Sequence, residues 1–361
     1  MSFINFINRV LLRNISYLHT FRLRCTESYN VSSLNFFVST ALARNLRELH
    51  LFFKMEGYNE LPREVFTCTS LEVPELVGSF VLNVPTLVCL QNLKILLVEE
   101  LKFSDDDSFN RLFSGCPLLE ELSIKGCDFK NISVLHISAP ALKSLVISHW
   151  SEDGYKLVLD TPNLQDLKFY DNVAKSYSVN KLNALVNADI SLMSRGGPDT
   201  EVLAELVEGI SNAKWLHLCF YTIKLCRSPL PKFDHLTCLE IGDSYNCVPW
   251  KLLQDFLESS PQLEVLNFAG LLLQDNFQEN QTTCNWYPPE KVPSCLLVHL
   301  KKIKIRRFTG KIDELKMAEY FLKNSKVLER LKIRLSSIGR RSAEICMTLP
   351  RGSEKCRVVA Y

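Results

Sequence analysis

Glycine is scarce in this sequence, with 13 residues in 361. None of G-x-x-x-x-G-K-[ST], G-x-G-x-x-G or G-x-S-x-G occurs, which removes the usual phosphate-cradling loops and the nucleophile elbow. The seven histidines are His19, His50, His136, His149, His217, His235 and His299. They include no H-E-x-x-H or comparable metal-ligand spacing, and His50, His136 and His217 are expected on solvated strand faces. Net charge is nearly lacking as well: 42 basic against 40 acidic residues leave +2. That balance excludes a global attraction to nucleic acid or membrane while leaving a local patch open. The 13 cysteines form no C-x-x-C pair and are odd in number, which suits reduced thiols in a cytoplasmic or nuclear protein. No apolar run reads as a membrane span, because Gly78, Asn83, Pro85, Gln91 and Asn92 break the uncharged stretch Leu76–Leu93. Phe3–Leu12 is interrupted by Asn5, Asn8 and Arg9, so no signal peptide is indicated either. What remains is a chain expected to be no enzyme and to need no cofactor or metal.

Leucine, on the other hand, recurs in a fixed pattern. Leu119-Glu-Glu-Leu122-Ser-Ile124-Lys-Gly-Cys127-Asp-Phe129 fits the leucine-rich-repeat template L-x-x-L-x-L-x-x-N/C-x-L at every apolar position. Leu122 and Ile124 share one face of a strand, while Glu121, Ser123 and Lys125 point the other way. A short helix precedes it, with Ser104 as expected cap, Asp105–Asp107 at its positive end and Gly115 as a left-handed stop. The dipole accounts for the three aspartates better than a metal does. The L-x-x-L-x-L core repeats from Leu18, Leu46, Leu93, Ile132, Leu142, Leu164, Leu236, Leu263, Leu300 and Leu328, with weaker copies at Leu71, Leu185 and Ala213. Steps between starts are mostly 21 to 28 residues, whereas those from 119 to 132 to 142 leave room for a strand and turn but no helix. One such unit cannot bury its own apolar face and needs stacked neighbours. The expected fold is α/β, a leucine-rich-repeat horseshoe with a curved parallel sheet on its concave face and helices outside. Residues 1–273 are expected to form the solenoid, 274–291 a polar insert, and 292–361 a C-terminal module continuing it.

Several segments carry a more specific likeness. Phe109-Asn-Arg-Leu112-Phe-Ser-Gly-Cys116-Pro117-x-Leu119-Glu120-x-Leu122, Leu61-Pro62-Arg63-x-Val65-Phe66-Thr67-Cys68 and Ala139-Pro140-Ala141-Leu142-Lys143-x-Leu145 resemble repeats of plant F-box/leucine-rich-repeat proteins of the FBD class. Val292-Pro293-Ser294-Cys295-Leu296-Leu297-x-x-Leu300-Lys301, followed by Tyr320-Phe321-Leu322-Lys323-Asn324-Ser325, is similar to the FBD module itself. The resemblance implies the substrate-recognition part of an SCF-type ubiquitin ligase receptor, hence a protein-binding role. Members usually begin with an F-box, and no segment before Phe3 can hold one. A Skp-type adaptor is therefore not an expected partner of this chain alone.

Binding residues are sought on the exposed side of the strands. Lys302, Lys304 and Arg306 alternate along one strand, and Arg330, Lys332 and Arg334 along the next. If adjacent, they gather six cations in a patch about 10 Å across, suited to an acidic or phosphorylated protein segment. Trp215 and Tyr170 fall on the same kind of face, either as binding anchors or packed on their neighbours. A small anionic ligand, sensed as some plant F-box repeat proteins sense hormones, is the alternative. A nucleic-acid partner is the least favoured because the chain is near neutral.

Overall fold

The computed structural model describes residues 7, 9–11, 17–26, 31–54, 57–150, 154–194, 202–242, 250–269, 288–336 and 345–361. The expected polar insert therefore lies mostly outside the described residues. The chain divides into two compact units, Met1–Ala184 and Leu185–Tyr361.

The first unit is built on seven parallel strands, β1 (Thr20–Cys25), β2 (Glu48–Phe53), β3 (Val73–Gly78), β4 (Ile95–Glu99), β5 (Glu121–Lys125), β6 (Ser144–Ser148) and β7 (Asp166–Asn172). After β1, each follows a template leucine that is wholly buried, such as Leu46, Leu93, Leu119 and Leu164, all 0% exposed. The weak copy at Leu71 forms β3 despite Pro74, which is buried in register with Leu49. Successive strands are locked together at their starts. Two consecutive N–H groups, as at Lys94 and Ile95 or Glu120 and Glu121, donate to one carbonyl of the preceding repeat. This lock holds register, so outward side chains line up in rows.

Between these strands the chain returns by several routes. Helices α1 (Val31–Leu42) and α2 (Asp106–Ser114) serve two crossovers, and a 3-10 turn at Arg63–Phe66 serves a third. The rest is strand: Asn59–Glu60, Phe80–Leu82 and Lys102–Phe103 form one small parallel sheet, and Val134–Ser138, Lys156–Asp160 and Ser176–Val179 form another. The template match at Ile132 thus belongs to a separate sheet, which moves His136 off the main face and into register with Val158. Phe103 stacks on Phe109 at 4.0 Å, and Phe129 meets Tyr155 edge-on at 5.5 Å, so α2 and the return strands share an aromatic core.

The start of α2 corrects two expectations. Asp105, not Ser104, is the cap: its Oδ1 accepts from the Ser108 N–H at 2.7 Å, while the Ser104 hydroxyl donates to the Leu82 carbonyl. Asp106 accepts the N–H groups of Ser133 and Val134, tying the helix to the neighbouring return strand. Gly115 is right-handed, with φ −89°. Its role is closeness, since a Cβ there would stand 2.3 Å from a Val88 methyl.

The second unit carries β8 (Asn187–Met193), β9 (Trp215–Leu218), β10 (Cys238–Ile241), β11 (Val265–Phe268), β12 (Lys302–Phe308), β13 (Arg330–Leu335) and β14 (Arg357–Ala360), again all parallel. Helices make its returns: α3 (Ala204–Gly209), α4 (Phe220–Leu225), α5 (Trp250–Ser259), α6 (Ser294–Val298) and α7 (Ile312–Asn324). Glu314, fully buried in the first turn of α7, accepts at one oxygen from the N–H groups of Thr309, Gly310 and Lys311 and from the Thr309 hydroxyl. Burial raises its pKa against those hydrogen bonds, which favour the carboxylate. The loop leaving β12 is thereby fastened to α7. Among the described residues no helix is long and apolar enough to cross a membrane, and eleven cysteines are free thiols.

Candidate functional site

The outward side chains of the second unit form two straight rows. One runs Asn187, Trp215, Cys238, Val265, Lys302, Arg330, Arg357 along β8 to β14, and the other runs Asp189, His217, Glu240, Asn267, Lys304, Lys332, Val359. Parallel strands lie about 4.8 Å apart, so each row reads one side chain per strand step. Charge changes along them. The β8–β10 end is acidic and internally paired, and the β12–β14 end is cationic.

At the acidic end His217 lies between two acceptors. Its Nδ1 is 2.6 Å from Asp189 Oδ1 and its Nε2 is 3.3 Å from the Gly242 carbonyl. Neither oxygen can donate, so only the imidazolium satisfies both contacts. Burial works against that charge, but the hydrogen bond and charge of Asp189, with help from Gly242 and Glu240, outweigh it and raise the His217 pKa. The expectation that His217 is a solvated surface residue is replaced by a half-buried ion pair. In the first unit His50 also lies near two carboxylates, 2.7 Å from Glu75 and 3.6 Å from Glu48.

Glu240 continues the row by accepting from the Asn267 amide and pairing with Arg306 at 3.3 Å. Arg306 thus bends back toward β10 instead of extending the patch. The strand explains why: register between β12 and β13 shifts after Ile305, and Arg307 adopts φ +56°. Of the six expected cations, Lys302 stands beside Arg330 and Lys304 beside Lys332, while Arg306 and Arg334 fall where the register is broken. Arg357 was not anticipated. It sits beside Arg330 and extends that row to three adjacent cations. Its strand, Arg-Val-Val-Ala, lacks the L-x-x-L-x-L signature, and only alternation of a charged residue with apolar ones could have revealed it. None of Lys302, Lys304, Arg330, Lys332, Arg334 or Arg357 has an acidic partner within 4.0 Å among the described residues.

Trp215 shares the Lys302 row three strands away, about 14 Å at the usual spacing, with Cys238 and Val265 between them. It is partly exposed and stacks on His217 at 6.3 Å, so its ring is already oriented. Burial lifts the Cys238 thiol to about 11, which leaves it an apolar element of the stripe and no nucleophile. Tyr170 belongs to β7 of the first unit, beside Ser148. Asp105 and Asp106 are spent on the α2 start, and no cluster with metal-ligand geometry occurs among the described residues.

Two family models match this chain: the repeats of "FBD-associated F-box protein At5g56370, LRR repeats" over residues 35–188, and FBD over 288–333, the span of α6, β12, α7 and most of β13. F-box protein At3g62430 of Arabidopsis thaliana is 31% identical over 386 residues, covering 99% of this chain and 86% of that protein. F-box/FBD/LRR-repeat protein At2g04230 of the same plant is 31% identical over 318 residues, covering 85% and 69%. FBD-associated F-box protein At1g66310 is 28% identical over 386 residues, covering 99% and 83%.

Proposed function

Because this chain belongs to the FBD-associated F-box/leucine-rich-repeat family, we propose that it is a non-enzymatic recognition module of the SCF substrate-receptor type, whose binding surface is the cationic end of the second unit. One observation carries this reading: cations of like sign stand directly opposite one another on neighbouring strands, Lys302 by Arg330 by Arg357 and Lys304 by Lys332. Each such pairing costs a few tenths of a kcal/mol up to about 1 kcal/mol. A folded protein retaining several of them unneutralised is suited to a partner that supplies the counter-charge. The rows are straight and lie on open strands, a shape that fits an extended acidic or phosphorylated polypeptide better than a compact anion. Arginines at both Arg330 and Arg357 add bidentate capacity, and Trp215 offers an aromatic contact farther along the same row.

The test is selection from a library of extended peptides. The wild-type chain should enrich acidic and phosphorylated sequences, and that selection should disappear in a Lys304→Glu/Arg330→Glu/Lys332→Glu variant with an unchanged far-ultraviolet spectrum. Identical peptide sets from both proteins would refute the assignment.

A further inference from the structure

The row of cations ends on a strand whose far side pairs with no other described residue. β14 is the last strand in its sheet, and no described residue pairs with it beyond β13. In a parallel ladder alternate residues direct their backbone groups to opposite sides. The N–H groups of Arg357 and Tyr361 donate to Glu329 and Ile333 on the β13 side. Val358 and Ala360 therefore turn their N–H and C=O groups outward, as a template for another strand. Natural edges are usually blunted by shortness, charged side chains, proline, bulges or a covering segment. β14, Arg-Val-Val-Ala, is short and carries the charge of Arg357, but it has no proline and its Val359 is 42% exposed.

We infer that the β14 edge is a strand-addition site that takes an acidic, extended peptide segment as the next strand of the sheet. This inference rests on the recognition role proposed above and specifies how the ligand is held. Main-chain hydrogen bonds to Val358 and Ala360 supply affinity, and the rows supply selectivity. In register, one ligand side chain stands beside Arg357 and the next but one beside Val359. The segment read is thus an acid beside Arg357 and, two residues on, a position beside Val359 that no charge on β14 constrains. A basic strand, or a second copy of this chain presenting its own Arg357 row, meets like charge at the first position and is rejected. Arg357 consequently guards the edge against self-association while admitting the ligand.

The experiment uses the full chain and fluorescent, end-blocked (Glu-Val)4, with (Lys-Val)4 and an alternately N-methylated (Glu-Val)4 as controls. Wild type should prefer the acidic peptide by about tenfold or more, and N-methylation should weaken it at least as much, since each lost hydrogen bond is worth roughly that factor. Val358→Pro removes an outward N–H and exchanges one part-buried apolar side chain for another, a substitution that edge strands tolerate, and should weaken the acidic peptide by about tenfold. Arg357→Glu should invert the preference toward (Lys-Val)4. Equal binding of the parent and N-methylated peptides by wild type overturns the edge site, and this comparison decides the matter even if Val358→Pro does not fold. Loss of acid preference in Lys304→Glu/Lys332→Glu without any effect of Val358→Pro or N-methylation would refute strand addition and leave the face reading standing. A wild type without acid preference would refute both.

Discussion

The two units solve the same stacking problem with different return paths and leave their outer faces in different electrostatic states. In the first unit, short returns are made by strands: residues 149–165 connect β6 to β7 through Lys156–Asp160, and residues 126–143 connect β5 to β6 through Val134–Ser138. In the second, residues 309–329 and 242–264 hold the 13-residue α7 and the 10-residue α5. A helix advances only about 1.5 Å per residue against about 3.3 Å for a strand, so a return of 17 or 18 residues spans the distance only when extended. The faces differ too. In the first unit the central row runs Arg22, His50, Glu75, Leu97, Ser123, Val146, Lys168, with His50 and Glu75 paired, apolar or small residues next, and the single cations Arg22 and Lys168 at its two ends. The equivalent row of the second ends on unneutralised lysines. One face keeps its cations strands apart; the other sets them side by side.

The contrast can be broken first at the core, where the two units should behave alike. Leu122→Asp and Leu331→Asp each bury a carboxylate at a position now 2% or less exposed and should cost about 3–5 kcal/mol by chemical denaturation. Equal thermal shifts for Leu122→Asp and Ser123→Asp would show the strand register to be wrong. Next in size is Glu314→Ala, which leaves the Thr309, Gly310 and Lys311 N–H groups without their acceptor and should destabilise by about 2–4 kcal/mol. In the first unit α2 is fastened separately, through Asp106, so hydrogen exchange should quicken around β12 and α7 and stay unchanged around α2.

A third test uses pH. His217 has a raised pKa in the fold, so its ion pair contributes fully below the unfolded histidine pKa, about 6.5, and the contribution fades as pH rises through the folded value. The stability gap between wild type and His217→Gln should accordingly shrink as pH rises from 6 toward 9. A gap that widens would refute the charged form. The smallest effect is the most diagnostic of the faces. Ser123→Asp should change stability by less than about 0.5 kcal/mol, whereas Lys332→Asp should stabilise by a few tenths of a kcal/mol by relieving Lys304, an advantage that added salt erases.

Much of this was legible in the residues. The repeat matches announced every main strand but β14, because a two-residue period after a fixed apolar start is a strong signal. The Lys302/Arg330 and Lys304/Lys332 neighbours followed from that register alone. Three features did not. The Ile132 match looked like the others although the chain around it was too short to return to the main sheet. Arg306 was lost from the patch through a bulge, and a bulge has no signature in Lys-Ile-Lys-Ile-Arg-Arg-Phe. His217 was read as solvated because its partner Asp189 is 28 residues away and becomes its neighbour only once two repeats are stacked.

The register lock at the strand starts has a consequence for how such proteins diversify. Because at most strand starts two N–H groups close on one carbonyl of the repeat before, a whole repeat can be inserted or removed with the other junctions intact. Each such event slides the acid-paired end and the cationic end of the face apart, or together, by one strand spacing. The sheet then works as a ruler with divisions of about 4.8 Å, and the length of segment measured between Trp215 and the lysines can change without substituting a single residue that touches it.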